Sequence, residues 1–293
     1  MIFITGSTGF VGKNLIKSFK NKSEIQYYNR NDKIKINKRC NVVIHLAGKA
    51  HDLNKVKNPD EYYSSNYILT KKIFDSFRES NAKFFIMLSS IKAVKDNSNS
   101  LITEETKTSP LSHYGKSKLL AENYILNQEI PKDKKVYILR PTLIYGPSSK
   151  GNLNLLQNFI KIGLPWPLGL FENKKSFCSI ENICFIINQL INNNKVISGI
   201  YNVCDDQYIS TNQLIEIISN AQNKKIRILR IPKKLIMIIA RIGDFVLLPL
   251  NSERLSKLTE SYMVSNLKIK QSLGIDEMPF KAKKCLYKSF SSF

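Results

Sequence analysis

The chain opens on M-I-F-I-T-G-S-T-G-F-V-G, Met1–Gly12. Met1–Thr5 is a continuous apolar run ending at Gly6, the pattern of a buried strand. Val11, Leu15, Ile16 and Phe19 then recur at helical spacing, so Val11–Lys20 reads as a helix. Between the two, Gly6, Gly9 and Gly12 stand three apart. In a strand–turn–helix unit Gly6 allows the tight turn, Gly9 lets the backbone approach a pyrophosphate, and Gly12 lets the helix pack close to the strand. The N–H groups at the helix start then face the phosphates, with the helix dipole behind them. Gly6, Ser7, Thr8, Gly9, Phe10, Val11 and Gly12 are therefore candidates for a dinucleotide cradle. A plain strand–helix turn would use the same glycines, so the rest of the chain has to decide between the two.

Downstream, short apolar runs at Ile25–Tyr28, Asn41–Leu46, Lys83–Leu88 and Lys135–Arg140 alternate with helical stretches at Pro59–Glu79 and Tyr114–Gln128. Continuous apolar strands separated by helices predict an α/β fold, a parallel sheet covered on both faces. After Pro141 glycine and proline cluster at 146–151 and 163–169, reading as loops around a smaller, irregular domain. A helix over Leu153–Ile162, a strand at Gly199–Val203 and a helix over Thr211–Asn220 come next. For Pro232–Leu250 the apolar density predicts a core helix pair, with an interfacial helix as the alternative.

Composition excludes several classes. With 293 residues and 43% apolar content the chain is globular, not disordered. Its five cysteines form no C-x-x-C pair, which argues against a disulfide scaffold or a zinc site. A net charge of +22 comes from 45 basic residues, mostly lysine, scattered along the chain. That is either a habit of a Lys- and Asn-rich sequence or an attraction to polyanions: a diphosphate, an anionic membrane or nucleic acid. No nucleic-acid-binding motif is present, so nucleic acid is not an expected partner. No leader peptide and no spanning segment is predicted; Leu235–Leu250 is interrupted by Arg241, Gly243 and Asp244.

Two segments carry chemistry. Phe84–Ser90 (F-F-I-M-L-S-S) is an apolar strand ending in two serines, at the strand end where parallel sheets bind ligands. A serine there can stabilise charge on a substrate oxygen. Tyr114-Gly115-Lys116-Ser117-Lys118 puts Tyr114 and Lys118 on one helix face, where a cation eases loss of the phenol proton. Such a tyrosine exchanges a proton with a carbonyl or alcohol oxygen while hydride moves at the carbon.

Thr5–Gly12, His45-Leu46-Ala47-Gly48, the Ser89-Ser90 strand end, Tyr114–Lys118 and Arg140–Pro147 (R-P-T-L-I-Y-G-P) occur in the order of a known family. The chain resembles the extended short-chain dehydrogenase/reductases, within the NAD(P)-dependent epimerase/dehydratase family acting on nucleotide sugars. The resemblance implies a Rossmann domain over 1–147, a doubly wound parallel sheet, and a smaller α/β substrate region over 148–293, partly interleaved with the sheet. It implies Ser90 (or Ser89), Tyr114 and Lys118 as catalytic residues, Lys118 also holding the cofactor ribose. Leu46, Ala47, Gly48 and Pro141 would line the cofactor, and Asn66 would order the site. His45 is expected to be structural. Arg30, where relatives often carry Asp, points to NADP through its 2′-phosphate, with NAD kept open by Asp32 and by the short stretch Asn31–Cys40.

Asn152, Lys175 and Lys257 (or Arg254) are the implied substrate residues, the lysines toward a diphosphate. Ile91-Lys92 after Ser90 disfavour dehydration. The implied reaction is redox chemistry at C4 of a UDP-sugar or lipid-diphosphate-linked sugar. It reads first as 4-reduction of a UDP-4-keto-6-deoxy-N-acetylhexosamine for surface polysaccharide synthesis, alternatively as UDP-hexose or N-acetylhexosamine 4-epimerisation. Rivals are a non-catalytic NAD(P)-binding sensor or scaffold and a membrane-associated assembly factor. A cytoplasmic homodimer, with peripheral contact to the inner membrane face where the carrier is a lipid, is the implied setting.

Overall fold

The computed structural model describes residues 1–19, 24–29, 32–49, 58–149, 152–246 and 250–291. Strands β1 (Ile2–Thr5), β2 (Ile25–Tyr28), β3 (Val42–His45), β4 (Phe84–Leu88), β5 (Lys135–Pro141) and β8 (Gly199–Val203) form a parallel sheet in the order β2-β1-β3-β4-β5-β8. The chain steps from β1 to β2 on one side and returns to β3 on the other. The crevice at that reversal, beyond the carboxyl ends of β1 and β3, is where doubly wound sheets bind their ligands. Strands β6 (Leu143–Tyr145) and β7 (Phe177–Ser179) pair separately.

Both faces of the sheet are buried, which is why its strands read as unbroken apolar runs. Ile4, Ile44, Ile86 and Leu139 point to one face, where they meet Leu15 of α1 (Phe10–Ser18) and Ile183 and Ile187 of α6 (Ile180–Asn192). Their neighbours Phe3, Val43, Phe85 and Ile138 point to the other face. There they meet Ile73, Phe74 and Phe77 of α3 (Leu69–Glu79) and Ala121 and Ile125 of α4 (His113–Leu126). Helix α3 is entered from α2 (Asp60–Tyr62) through a π-helical stretch, Tyr63–Ile68.

A second core lies away from the sheet, around Tyr145, Trp166, Phe177 and Leu214. It packs α5 (Asn152–Ile162), α7 (Thr211–Ala221), α8 (Lys233–Phe245), α9 (Ser252–Thr259) and α11 (Ala282–Ser291). Here the structure departs from expectation. Pro232–Leu250 is not a core helix pair. Only Ile236, Ala240 and Gly243 of α8 are buried, one stripe of the helix. Residues 261–265 run alongside Lys174–Ser176 and Ile102, and α10 (Leu267–Leu273) follows.

Candidate active site

The glycine turn is crowded wherever a side chain would point inward. Gly6 takes φ +73°, and a Cβ there would stand 2.6 Å from the Ala47 amide nitrogen. A Cβ on Gly12 would stand 2.2 Å from the Gly6 carbonyl oxygen. Gly9 is different: its Cβ would meet only the Gly6 oxygen, at 3.3 Å, so that side of the turn is open. Thr8 and Gly9 are exposed and Ser7 is partly so. Helix α1 starts at Gly9 with no side chain capping it and no acid in its first turn. Two glycines that admit no side chain, one that leaves room, and uncapped helix amides suit a pyrophosphate. Phe10 turns away from this surface and packs toward Gly146, where a Cβ would come within 3.1 Å of its ring.

A hydrogen-bonded chain of polar groups ties β1 to β3 and α3. Ala47 N–H donates to Thr5 Oγ1 at 3.1 Å, Thr5 Oγ1 bonds His45 Nδ1 at 2.7 Å, and His45 Nε2 bonds Thr70 Oγ1 at 2.8 Å. Thr70 donates its proton to the Asn66 carbonyl at 2.6 Å. Nε2 must therefore carry the imidazole proton and Thr5 must donate to Nδ1. Burial, with the Lys118 charge second, pushes the imidazole down to about 3, so His45 is a neutral structural link.

Asn66 lies in the π-helical stretch and is fully buried. Its Oδ1 accepts from Lys49 N at 2.8 Å, and its Nδ2 donates to Lys49 O at 3.1 Å and Ser117 Oγ at 3.0 Å. It thereby clamps the turn after β3 to α4, one residue from Lys118. Gly48 fits because a Cβ there would come within 2.6 Å of Asn66 Oδ1 and 3.2 Å of Lys118 Nζ.

Tyr114, Ser90 and Lys118 meet at the carboxyl end of β4. Ser90 opens the 3-10 turn Ile91–Ala93, its Oγ accepting from Lys92 N at 3.2 Å, and its side chain is hydrogen-bonded to the Tyr114 phenol. Lys118 is buried and donates to the Leu88 carbonyl at 2.9 Å. Burial lowers its ammonium to about 8, with the Glu122 carboxylate opposing. The Tyr114 phenol is raised above its ordinary value by burial, and the Ser90 bond pulls it part of the way back. The sequence predicted a phenol eased toward ionisation; burial is the larger effect. Ser89 points elsewhere, donating to Glu122. Glu122 also accepts from Arg140 Nε at 3.1 and 3.0 Å and from Nη2 at 2.6 Å, a buried ion pair behind the site.

Two supports for Tyr114 escaped the sequence reading. A Cβ on Gly115 would stand 2.4 Å from the Lys92 carbonyl oxygen, so Gly115 lets α4 press against the turn that carries Ser90. Asp96 accepts from Leu111 N at 2.7 Å and from Ser112 N and Oγ at 3.0 and 2.8 Å, while Ser112 caps α4 at Gly115 N. Burial works to raise the Asp96 carboxyl, but these bonds and the Lys92 charge hold it below its ordinary value. An Asp in a polar loop, sixteen residues from its partner, gives no local sequence signal.

Two lysines, Lys92 and Lys175, interact near the turn that carries Ser90. Lys175 donates to the Lys257 carbonyl. Burial lowers its ammonium to about 8; Glu260 opposes this and the Lys92 charge adds to it. Lys92, two residues past Ser90, lies 4.8 Å from the Tyr262 ring centroid and is also lowered, by burial first. Lys257 contributes its carbonyl, while its ammonium pairs with Glu253 at 2.6 Å in the open. The cation facing Lys175 is thus Lys92, which the sequence reading used only to disfavour dehydration. Pro141 ends β5 buried against β8, and the next residue, Thr142, has a buried hydroxyl with no hydrogen-bond partner. Asn152 heads α5, where only the backbone is described, and Arg30 lies outside the described residues.

Comparison with known proteins gives the family and the fold. The model of the NAD dependent epimerase/dehydratase family matches residues 2–204. A UDP-glucose 4-epimerase of Vibrio cholerae is 29% identical, over 93% of this chain and 89% of its own. An N-acetyl-alpha-D-glucosaminyl-diphospho-ditrans,octacis-undecaprenol 4-epimerase of Escherichia coli O157:H7 is 26% identical, over 92% and 84%. Among solved structures, dTDP-4-dehydrorhamnose reductase of Bacillus anthracis in complex with NADP superposes with a TM-score of 0.75 at 18% identity, covering 100% of this chain and 99% of that one.

Proposed function

Given that the chain belongs to the NAD dependent epimerase/dehydratase family, we propose that it exchanges a hydride at C4 of a hexose carried on a diphosphate. The observation that carries this reading is the Tyr114–Ser90 hydrogen bond beside buried Lys118, at the carboxyl end of the sheet, where the glycine turn also lies. A bound nicotinamide dinucleotide supplies or takes the hydride. Tyr114 gives a proton to the C4 oxygen when C4 is reduced and takes one when C4 is oxidised. Ser90 donates a hydrogen bond to that oxygen as charge builds on it. Lys118, whose ammonium donates to the Leu88 carbonyl, would hold the cofactor ribose beside Tyr114. Residues 1–147 hold the cofactor and carry Ser90 and Tyr114, while 148–293, which also lends β8 and α6 to the sheet, completes the substrate side. Burial lowers the Lys175 ammonium and the Lys92 charge adds a smaller repulsion, both of which a bound diphosphate would offset. That chemistry is common to nucleotide sugars and lipid-diphosphate sugars.

The direction is supported from two sides. Epimerisation is named for two relatives that each match more than nine-tenths of the chain. Net reduction of a 4-keto-6-deoxy-N-acetylhexosamine is supported by the Tyr114 phenol, raised by burial and so held as a proton donor. NADP preference would come from Arg30. One experiment separates the directions. The protein is given UDP-N-acetylglucosamine or a UDP-4-keto-6-deoxy-N-acetylhexosamine, with NADH and NADPH in turn. Cofactor absorbance and sugar NMR are read together. Inversion at C4 without net cofactor loss marks the epimerase. Stoichiometric cofactor oxidation with a new C4 alcohol marks the reductase. No change at C4 of either sugar refutes the proposal for nucleotide carriers, and the same assay on a prenyl-diphosphate sugar completes the refutation.

A further inference from the structure

Helix α8 buries one stripe, Ile236, Ala240 and Gly243. Its opposite face is not polar. Leu235, Ile238, Ile239, Ile242 and Phe245 are 49%, 53%, 38%, 51% and 91% exposed. At 100° per residue these five fall within an arc of about 120°. Lys234 and Arg241 stand along one border of the arc, both exposed. An apolar arc bordered by cations is the arrangement of a helix lying in a membrane interface. Scattered exposed leucines are ordinary, but a contiguous row on one helix is a surface with a use.

The charge around the helix says what covers it. From Lys224 to Arg241 the chain carries seven Lys and Arg and no acid. Arg227 and Arg230, on the segment leading into α8, and Lys233, at its first position, are exposed. Asp244, the first acid after them, is engaged with the Ser252 hydroxyl and amide at 2.6 and 2.9 Å. A second copy of this chain would bring like charge against like charge, whereas an anionic bilayer offers the opposite sign beside an apolar interior. Among the described residues no helix is long and apolar enough to cross a membrane, so the contact is one of lying on the surface.

We propose that α8 is a membrane-docking helix, its apolar face entering the headgroup region of an anionic bilayer and its flanking cations meeting the lipid phosphates. This does not depend on the sugar reading, and its test contains no sugar.

The full chain is sedimented with vesicles of phosphatidylcholine alone and with about one-third phosphatidylglycerol. The expected result is partition onto the anionic vesicles and little onto the neutral ones. The double variant Ile242→Ser, Phe245→Ser should lose about tenfold in partition with an unchanged melting temperature, since both side chains are exposed. Lys234→Gln with Arg241→Gln should lose a smaller factor and show a weaker salt dependence. Wild-type protein left in the supernatant would overturn the proposal. So would full binding by the apolar variant, which would mark a general attraction of a cationic protein. Self-association without vesicle binding, abolished by Phe245→Ser, would assign the face to a second copy instead.

Discussion

Helices α4 and α8 break the usual amphipathic pattern in opposite directions. Helix α4 buries Ser117, Lys118 and Glu122, while α8 exposes Ile238, Ile242 and Phe245. The groups α4 buries are all engaged: Lys118 with the Leu88 carbonyl, Glu122 with Arg140 and Ser89, Ser117 with Asn66. Polar groups cost free energy to bury, so their pairing on one helix marks a site where charge must be held in place. Apolar groups cost little to expose one at a time, so only their alignment on α8 is informative. The first departure points inward to chemistry, the second outward to a surface.

The inward half of this contrast is most exposed to disproof at Tyr114. Tyr114→Phe removes the exchangeable proton and should lower kcat by about 10²–10⁴-fold without loss of cofactor binding, measured by turnover and by nicotinamide fluorescence titration. Behind the site, Arg140→Met leaves Glu122 buried without its cation. That should cost about 3–5 kcal/mol, read from the denaturant midpoint. Removing the exposed partner in Lys257–Glu253 should cost less than about 1 kcal/mol. Gly115→Ala forces α4 away from the Lys92 carbonyl and should cost about 1–3 kcal/mol, with kcat falling more than KM rises.

The pH response isolates the role of Lys118. Its ammonium, at about 8 against an ordinary 10.5, loses its proton as pH rises through about 8. Activity that needs the cation should then fall, approaching about tenfold per pH unit. Between about 8 and 10.5 the unfolded chain holds this proton and the folded chain does not, so the stability contribution of Lys118 moves the other way and rises with pH. A pH–rate profile beside a pH–melting series checks both signs. The smallest effect belongs to α8: Ile242→Ser should change stability by less than about 0.5 kcal/mol and leave turnover of a soluble sugar intact.

Much of the sheet was legible in the sequence because parallel strands buried on both faces repeat one simple signal. The bounds of Ile25–Tyr28 and Gly199–Val203 agree to the residue. Strands β6 and β7, three residues each, carry too little pattern to be recognised. The Tyr114–Lys118 spacing and the Ser90 strand end could be seen, since both are local. Asp96, Gly115 and Lys92 act through contacts that only the folded chain creates, such as the meeting of α4 with the turn after β4. The exposure of α8 was hidden for the same reason: an apolar helix looks alike in sequence whether a core covers it or nothing does.

Hydride exchange at C4, with Tyr114 moving the proton of the C4 oxygen, stands or falls on turnover in deuterium oxide, with C4 of the sugar product read by NMR. The expected product carries a C4 hydrogen that does not come from solvent, because it arrives as hydride, and Tyr114→Phe forms no such product at a comparable rate. Solvent deuterium at C4, or undiminished turnover by Tyr114→Phe, would contradict hydride exchange governed by this tyrosine.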